Sequence, residues 1–109
     1  MDGINIFFSE DTELSEFEAA NKCYRCDVYV KVDNKVYNVN IYNPIRLQQD
    51  FEAELESNGY YYTDPNLILV KNCDKSEIIY TINKLNTCGY FNELKPNDGV
   101  DISKLIRVQ

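Results

Sequence analysis

CDVYVKVDNKVYNVNIYN, residues 26–43, is the stretch that decides how the rest of the chain can fold. Valine, isoleucine and tyrosine alternate with polar residues on both sides of Asp33-Asn34, a pair suited to a two-residue turn. Setting Val32 opposite Lys35 places Val30 opposite Tyr37, Val28 opposite Val39 and Cys26 opposite Ile41 on one side of the pleat. The other side carries Arg25, Asp27, Tyr29 and Lys31 against Tyr42, Asn40, Asn38 and Val36. One apolar and one mostly polar face predict a half-buried antiparallel hairpin over about residues 22–43.

This register also reads the CxxC spacing at Cys23 and Cys26. Carried backwards, the alternation points Cys26 inward and Cys23 outward, and residues three apart on a strand do not converge on one ion. Cys73 and Cys88 form no second CxxC, and the chain has no histidine to complete a mixed site. A thioredoxin-like CxxC opens a helix, whereas here a strand follows. Neither a metal nor another cofactor is expected. Cys73 precedes a helix start, where a thiolate can be stabilised, but a small residue at a strand–helix junction explains it as well.

Downstream, "NPIRLQQDFEAELESNGYYY" predicts a helix capped by Asn43, with Pro44 in its first turn. Leu47, Phe51 and Leu55 form a stripe directed at the core. Gly59 ends the helix, with Leu55 and Tyr60 spaced for a Schellman-type contact. A turn at Asp64-Pro65-Asn66 leads to a short strand, Leu67–Val70. A further helix follows, with Asp74 and Glu77 at capping-box spacing and Ile78, Ile82 and Leu85 inward. Before the hairpin, Ile4–Phe8 reads as a strand. Thr12–Asn21 reads either as a short acidic helix with Leu14, Phe17 and Ala20 inward, or as an irregular arm. A short helix or strand is expected around Leu105–Val108. The order β–α–β–β–α–β–α plus a tail predicts one α+β domain over residues 1–109. Its small mixed sheet contains the antiparallel hairpin and a parallel crossover, and two or three helices pack on it.

The composition is that of an ordinary globular domain, 44% hydrophobic and 27% charged in 109 residues. The opening residues show no signal-peptide pattern and no stretch is long enough to span a bilayer, so a cytoplasmic protein is expected. The net charge of −7 is uneven. Residues 1–21 contain Asp2, Glu10, Asp11, Glu13, Glu16 and Glu18 with no Lys or Arg, and residues 47–70 also lack Lys and Arg. Direct nucleic-acid binding needs a basic surface and is disfavoured. A membrane partner is not expected either. A basic protein would be attracted.

No phosphate loop, nucleophile elbow or histidine-based acid–base pair is present, so catalysis is not expected. The candidate partner-binding residues are the acids Glu10, Asp11, Glu13, Glu16 and Glu18 of the arm and Asp50, Glu52, Glu54 and Glu56 of the following helix. Tyr61 and Tyr62 join them, since consecutive residues of an extended chain face opposite ways. The same acids serve equally well as solvated faces, and a tyrosine can simply lie over a helix end.

From Val28 to Pro96, the hairpin leading into "NPIRLQQDFEAELESNGYYY", then "PNLILV" and "GYFNELKP", resembles small acidic immunity proteins encoded beside bacterial polymorphic or contact-dependent toxins. The resemblance implies a non-enzymatic inhibitor that binds a basic toxin domain and occludes its active site or locks it elsewhere. Two other readings share the acidity: a phage-type anti-defence protein that mimics nucleic acid, and a small structural subunit that self-associates, for instance as a homodimer.

Overall fold

The computed structural model describes residues 4–63 and 65–109. Asp2 of the acidic arm and Asp64 of the expected turn lie outside the described residues. A five-stranded sheet runs β4-β3-β2-β1-β5. Its strands are β1 (Ile4–Phe8), β2 (Tyr24–Val32), β3 (Lys35–Tyr42), β4 (Leu67–Leu69) and β5 (Ile106–Arg107), joined through α1 (Glu13–Lys22), α2 (Pro44–Asn58) and α3 (Lys75–Thr87). Among the described residues, only β3 and β4 pair in parallel, the crossover that α2 makes possible. Short 3-10 turns occupy Tyr90–Asn92 and Ile102–Lys104. The architecture is the expected α+β domain with a mixed sheet.

The hairpin closes on Asp33, whose φ of 57° is the positive value such a turn requires at its first position. Val32 pairs with Lys35, Val30 with Tyr37 and Val28 with Val39, as the alternation predicts. Their inward side chains meet Ile6 and Phe8 of β1, Ile68 of β4, and Ile78 and Ile82 of α3 in one core. The caps of α2 and α3 also form as expected: Asn43 Oδ1 accepts from the Ile45 N–H and Asp74 Oδ1 from the Glu77 N–H.

The register breaks below Val28. A bulge between Arg25 and Val28 sets Arg25, rather than Cys26, opposite Ile41. Cys26 is therefore exposed and Arg25 takes the inward position at 5% exposure. Cys23 is not in the strand at all: it ends α1 with a φ of 64°. The physical reason is the environment built for Arg25. Its guanidinium lies 3.9 Å from the centre of the Phe8 ring, and its Nε and Nη2 donate to the two oxygens of Asp27 at 2.6 and 3.1 Å. Nη2 also donates to the Glu10 carbonyl, and Nη1 stands 3.7 Å from Glu16. One extra residue in β2 turns this side chain inward. The Asn38 amide donates to the Cys26 carbonyl and to that of Val28, replacing a ladder partner at the bulge.

α1 is a helix, but its rotation differs from the expected one. Ser15 and Ala19 are buried, whereas Leu14 and Phe17 are both 66% exposed and Ala20 also faces outward. Polar bonds set this rotation. Thr12 and Ser15 cap the helix reciprocally, Glu16 accepts from the Lys75 N–H at 2.6 Å, and the Lys75 ammonium pairs with Asp11 at 3.0 Å. These bonds fasten one flank of α1 to the start of α3. Leu14 and Phe17 are left projecting into solvent.

Cys73 is buried between β4 and α3. Burial is the main cause that pushes its thiol up to about 11, so the thiolate is scarce at neutral pH. Iodoacetamide at pH 8 should label exposed Cys26 and Cys88 in the folded protein and reach Cys73 only as urea unfolds the chain. Peptide mapping of a labelling time course checks this, and early modification of Cys73 would contradict it.

Candidate functional site

α2 is the anomaly of the fold. Fifteen residues long, it buries none of them. The stripe Leu47, Phe51 and Leu55 does not enter the core: Phe51 is 44% and Leu55 41% exposed, and Ile45 beside them is more exposed still. The side turned to the protein is the one bearing Arg46, Asp50 and Glu54, with Leu47 on its flank. Arg46 explains this. Its guanidinium lies 4.6 Å from the centre of the Tyr24 ring, Tyr24 stacks on Tyr42 at 5.5 Å, and Arg46 Nε donates to Asp50 Oδ1 at 3.1 Å. A cation on an aromatic platform, in place of buried leucines, holds the helix on the second face of the sheet. Partial burial, reinforced by Cys26, Asp50 and Tyr61, raises the Tyr42 hydroxyl to about 12. The Cys26 thiol is raised too, by desolvation and then by Asp27, which makes it a poor nucleophile at neutral pH.

Past α2 the chain turns at Gly59, whose N–H bonds the Leu55 carbonyl at a φ of 82°, the simpler left-handed ending. Tyr60 and Tyr62 then point outward, and Tyr61 folds back to meet Phe51 edge-on at 6.2 Å. Between helix and returning chain lies a groove of about 240 Å³ lined by Pro44, Leu47, Gln48, Phe51, Tyr61 and Thr63. Around it, Gln48 donates to Glu52 at 3.3 Å and Asn58 to Glu54 at 2.7 Å, while Glu56 is exposed.

The acids of the arm have a different character. Asp11 and Glu16 are committed to Lys75 and Arg25. The side chains of Glu10, Glu13 and Glu18 remain exposed. Glu18 borders a shallow cleft of about 360 Å³ over the sheet, together with Lys22, Tyr24 and Tyr29. The eleven candidate residues thus fall into a set on α1 that partly serves the fold and a set on α2 with its following turn.

No family model matches the chain, and neither a curated protein nor a solved structure matches it. Among the described residues, no group of three or more His, Cys, Asp or Glu side chains could hold a metal ion, and no helix is long and apolar enough to cross a membrane.

Sequence reasoning singled out the acids of α2 and the tyrosines that follow it, but missed the groove and the role of Arg46. One signal was available. A core-facing helix usually carries three to four apolar residues per two turns. Here the stripe is narrow, and Arg46, Asp50 and Glu54 recur at the same four-residue interval beside it.

Proposed function

We propose that this chain is a non-enzymatic inhibitor of a basic protein, an immunity protein that neutralises a bacterial toxin domain in the cytoplasm. The observation that carries the reading is a helix that buries no residue, yet combines exposed Ile45, Phe51 and Leu55 with the exposed acids Glu52 and Glu56. Exposed apolar surface rimmed by charge marks interaction sites, and acids steer a basic partner into contact. The second acidic set, Glu10, Glu13 and Glu18, extends the attractive field, and Tyr62 supplies an outward aromatic contact.

The test has two steps. Tagged protein is used to capture partners from its host's lysate at low and at high salt. The recovered toxin domain is then assayed with and without the inhibitor. Charge reversal is placed at Glu52→Lys and Glu56→Lys, since Asp11 and Glu16 also hold α1 and their reversal would disturb the fold. Association with the toxin domain should slow by roughly tenfold at low salt and by much less at high salt. Recovery of a defence complex would move the reading to a nucleic-acid mimic, and recovery of the protein alone to a self-associating subunit. Unchanged association after charge reversal would remove α2 from the interface.

A further inference from the structure

We infer that the groove between α2 and residues 61–63 receives one large apolar side chain that a basic partner presents between lysines or arginines. This rests on the binding reading above and adds to it the place and chemistry of the anchor. The groove volume of about 240 Å³ exceeds the roughly 150 Å³ of an apolar cavity that takes up benzene, so a phenyl, indole or branched aliphatic side chain fits. Its apolar lining comes from Pro44, Leu47, Phe51 and Tyr61. Phe51 and Tyr61 meet edge-on at 6.2 Å in the groove lining, an aromatic geometry that a further apolar group can extend from the half-exposed Phe51.

The rim selects the flanking charge. Gln48 lines the groove and holds the Glu52 carboxylate at 3.3 Å, so a negative charge stands beside the entrance. Asp50 and Glu54 lie on the side of the helix turned to the protein and do not line the groove, and no Lys or Arg occurs from residue 47 to residue 70 to offset Glu52. An anchor flanked by acids would meet repulsion on entry, and one flanked by Lys or Arg attraction. A second copy of this chain would bring its own acidic helix and a net charge of −7, which disfavours self-docking at low salt by the same argument. The outward Leu14 and Phe17 of α1 form a weaker candidate: the nearest hollow is bounded by Asp11 and Lys75, already paired with each other.

The experiment is a two-dimensional amide NMR titration of the full chain with acetyl-Lys-Trp-Lys-amide at low salt. Acetyl-Glu-Trp-Glu-amide and acetyl-Lys-Ala-Lys-amide are the controls. The cationic tryptophan peptide should saturate shifts at Leu47, Gln48, Phe51 and Thr63, and bind roughly fivefold or more tightly than its acidic counterpart. The alanine peptide should not saturate. Phe51→Ala, which removes a half-exposed wall and leaves the core intact, should weaken the tryptophan peptide by roughly tenfold; an otherwise unchanged spectrum verifies its fold. Shifts centred elsewhere, equal affinity for the acidic peptide, or indifference to Phe51→Ala would each overturn the inference. If the peptide misses the groove while Glu52→Lys and Glu56→Lys still weaken toxin capture, the anchor site fails and the inhibitor reading stands. If the groove fills but no basic partner is recovered, the inhibitor reading fails and the site stands.

Discussion

Arg25→Ala should lower the free energy of unfolding by about 3–5 kcal/mol, the loss seen when one member of a buried ion pair is removed. For a domain with about 5–15 kcal/mol in total, that can leave the chain partly unfolded at room temperature. The effect is large because Arg25 holds several groups at once. It satisfies both oxygens of Asp27, the Glu10 carbonyl leading into α1 and the face of Phe8. Its removal strands the Asp27 carboxylate in a partly buried site with Ser9 as its remaining side-chain donor. Burial alone would raise the Asp27 pKa, but hydrogen bonds from Arg25 and Ser9, with the charge of Arg25, outweigh it and hold the carboxyl below its usual range. The sign of the pH dependence follows. A carboxyl depressed in the folded state stabilises the fold above its unfolded pKa near 3.9, and that contribution disappears as pH falls through the depressed value. Urea melts of the wild type and Arg25→Ala at pH 7 and in the acid range test both parts. The variant should lose stability at pH 7 and show a flatter acid limb. A loss under about 1 kcal/mol would mean that the network contributes no more than a surface pair.

Ile82→Ala should cost about 2–5 kcal/mol, the range for truncating a fully buried aliphatic side chain. Phe51→Ala should cost less than about 1 kcal/mol. The contrast is informative because both residues lie on apolar stripes of capped helices of similar length. Ile82 is fully buried against the sheet, while Phe51 meets Tyr61 at the edge of a groove and is otherwise half in water. Chemical denaturation of the two variants measures the difference directly. A loss at Phe51 comparable to that at Ile82 would show that α2 packs far more firmly than its exposure implies, and would weaken the case that its stripe is reserved for a partner.

That pair also marks how far the sequence could be read. The hairpin from Val28 to Val39, the element order, the caps at Asn43 and Asp74, and the inward face of α3 all follow from alternation, turn chemistry and capping, which are local. The three misplacements share one cause. Whether α2 rests on leucines or on Arg46 depends on Tyr24 and Tyr42, supplied by two other strands. Which flank of α1 faces inward depends on Lys75, far along the chain. The parity of β2 below Val28 depends on Asp27 and Phe8 making a charged side chain tolerable inside. In each case a charged or polar side chain, held at least in part by residues outside its own element, overrides the apolar pattern within that element. The acids of the candidate site were legible from composition alone. The groove was not, because its far wall comes from a chain reversal that no periodicity describes.

The pairing of β1 with β5 has a consequence for how the chain is made. β1 is strongly apolar, with Ile6, Phe7 and Phe8 all buried in the finished fold. Its outer neighbour comes from the opposite end of the sequence: Phe8 pairs with Ile106, and Asn5 reaches the Gln109 carbonyl across 104 positions. On a translating ribosome the hairpin can close early, whereas this edge of INIFF stays unpaired until synthesis has passed Ile106. An open apolar edge invites pairing with other nascent chains. Only when β5 pairs with Phe7 and Phe8 does that edge of the apolar strand gain its cover.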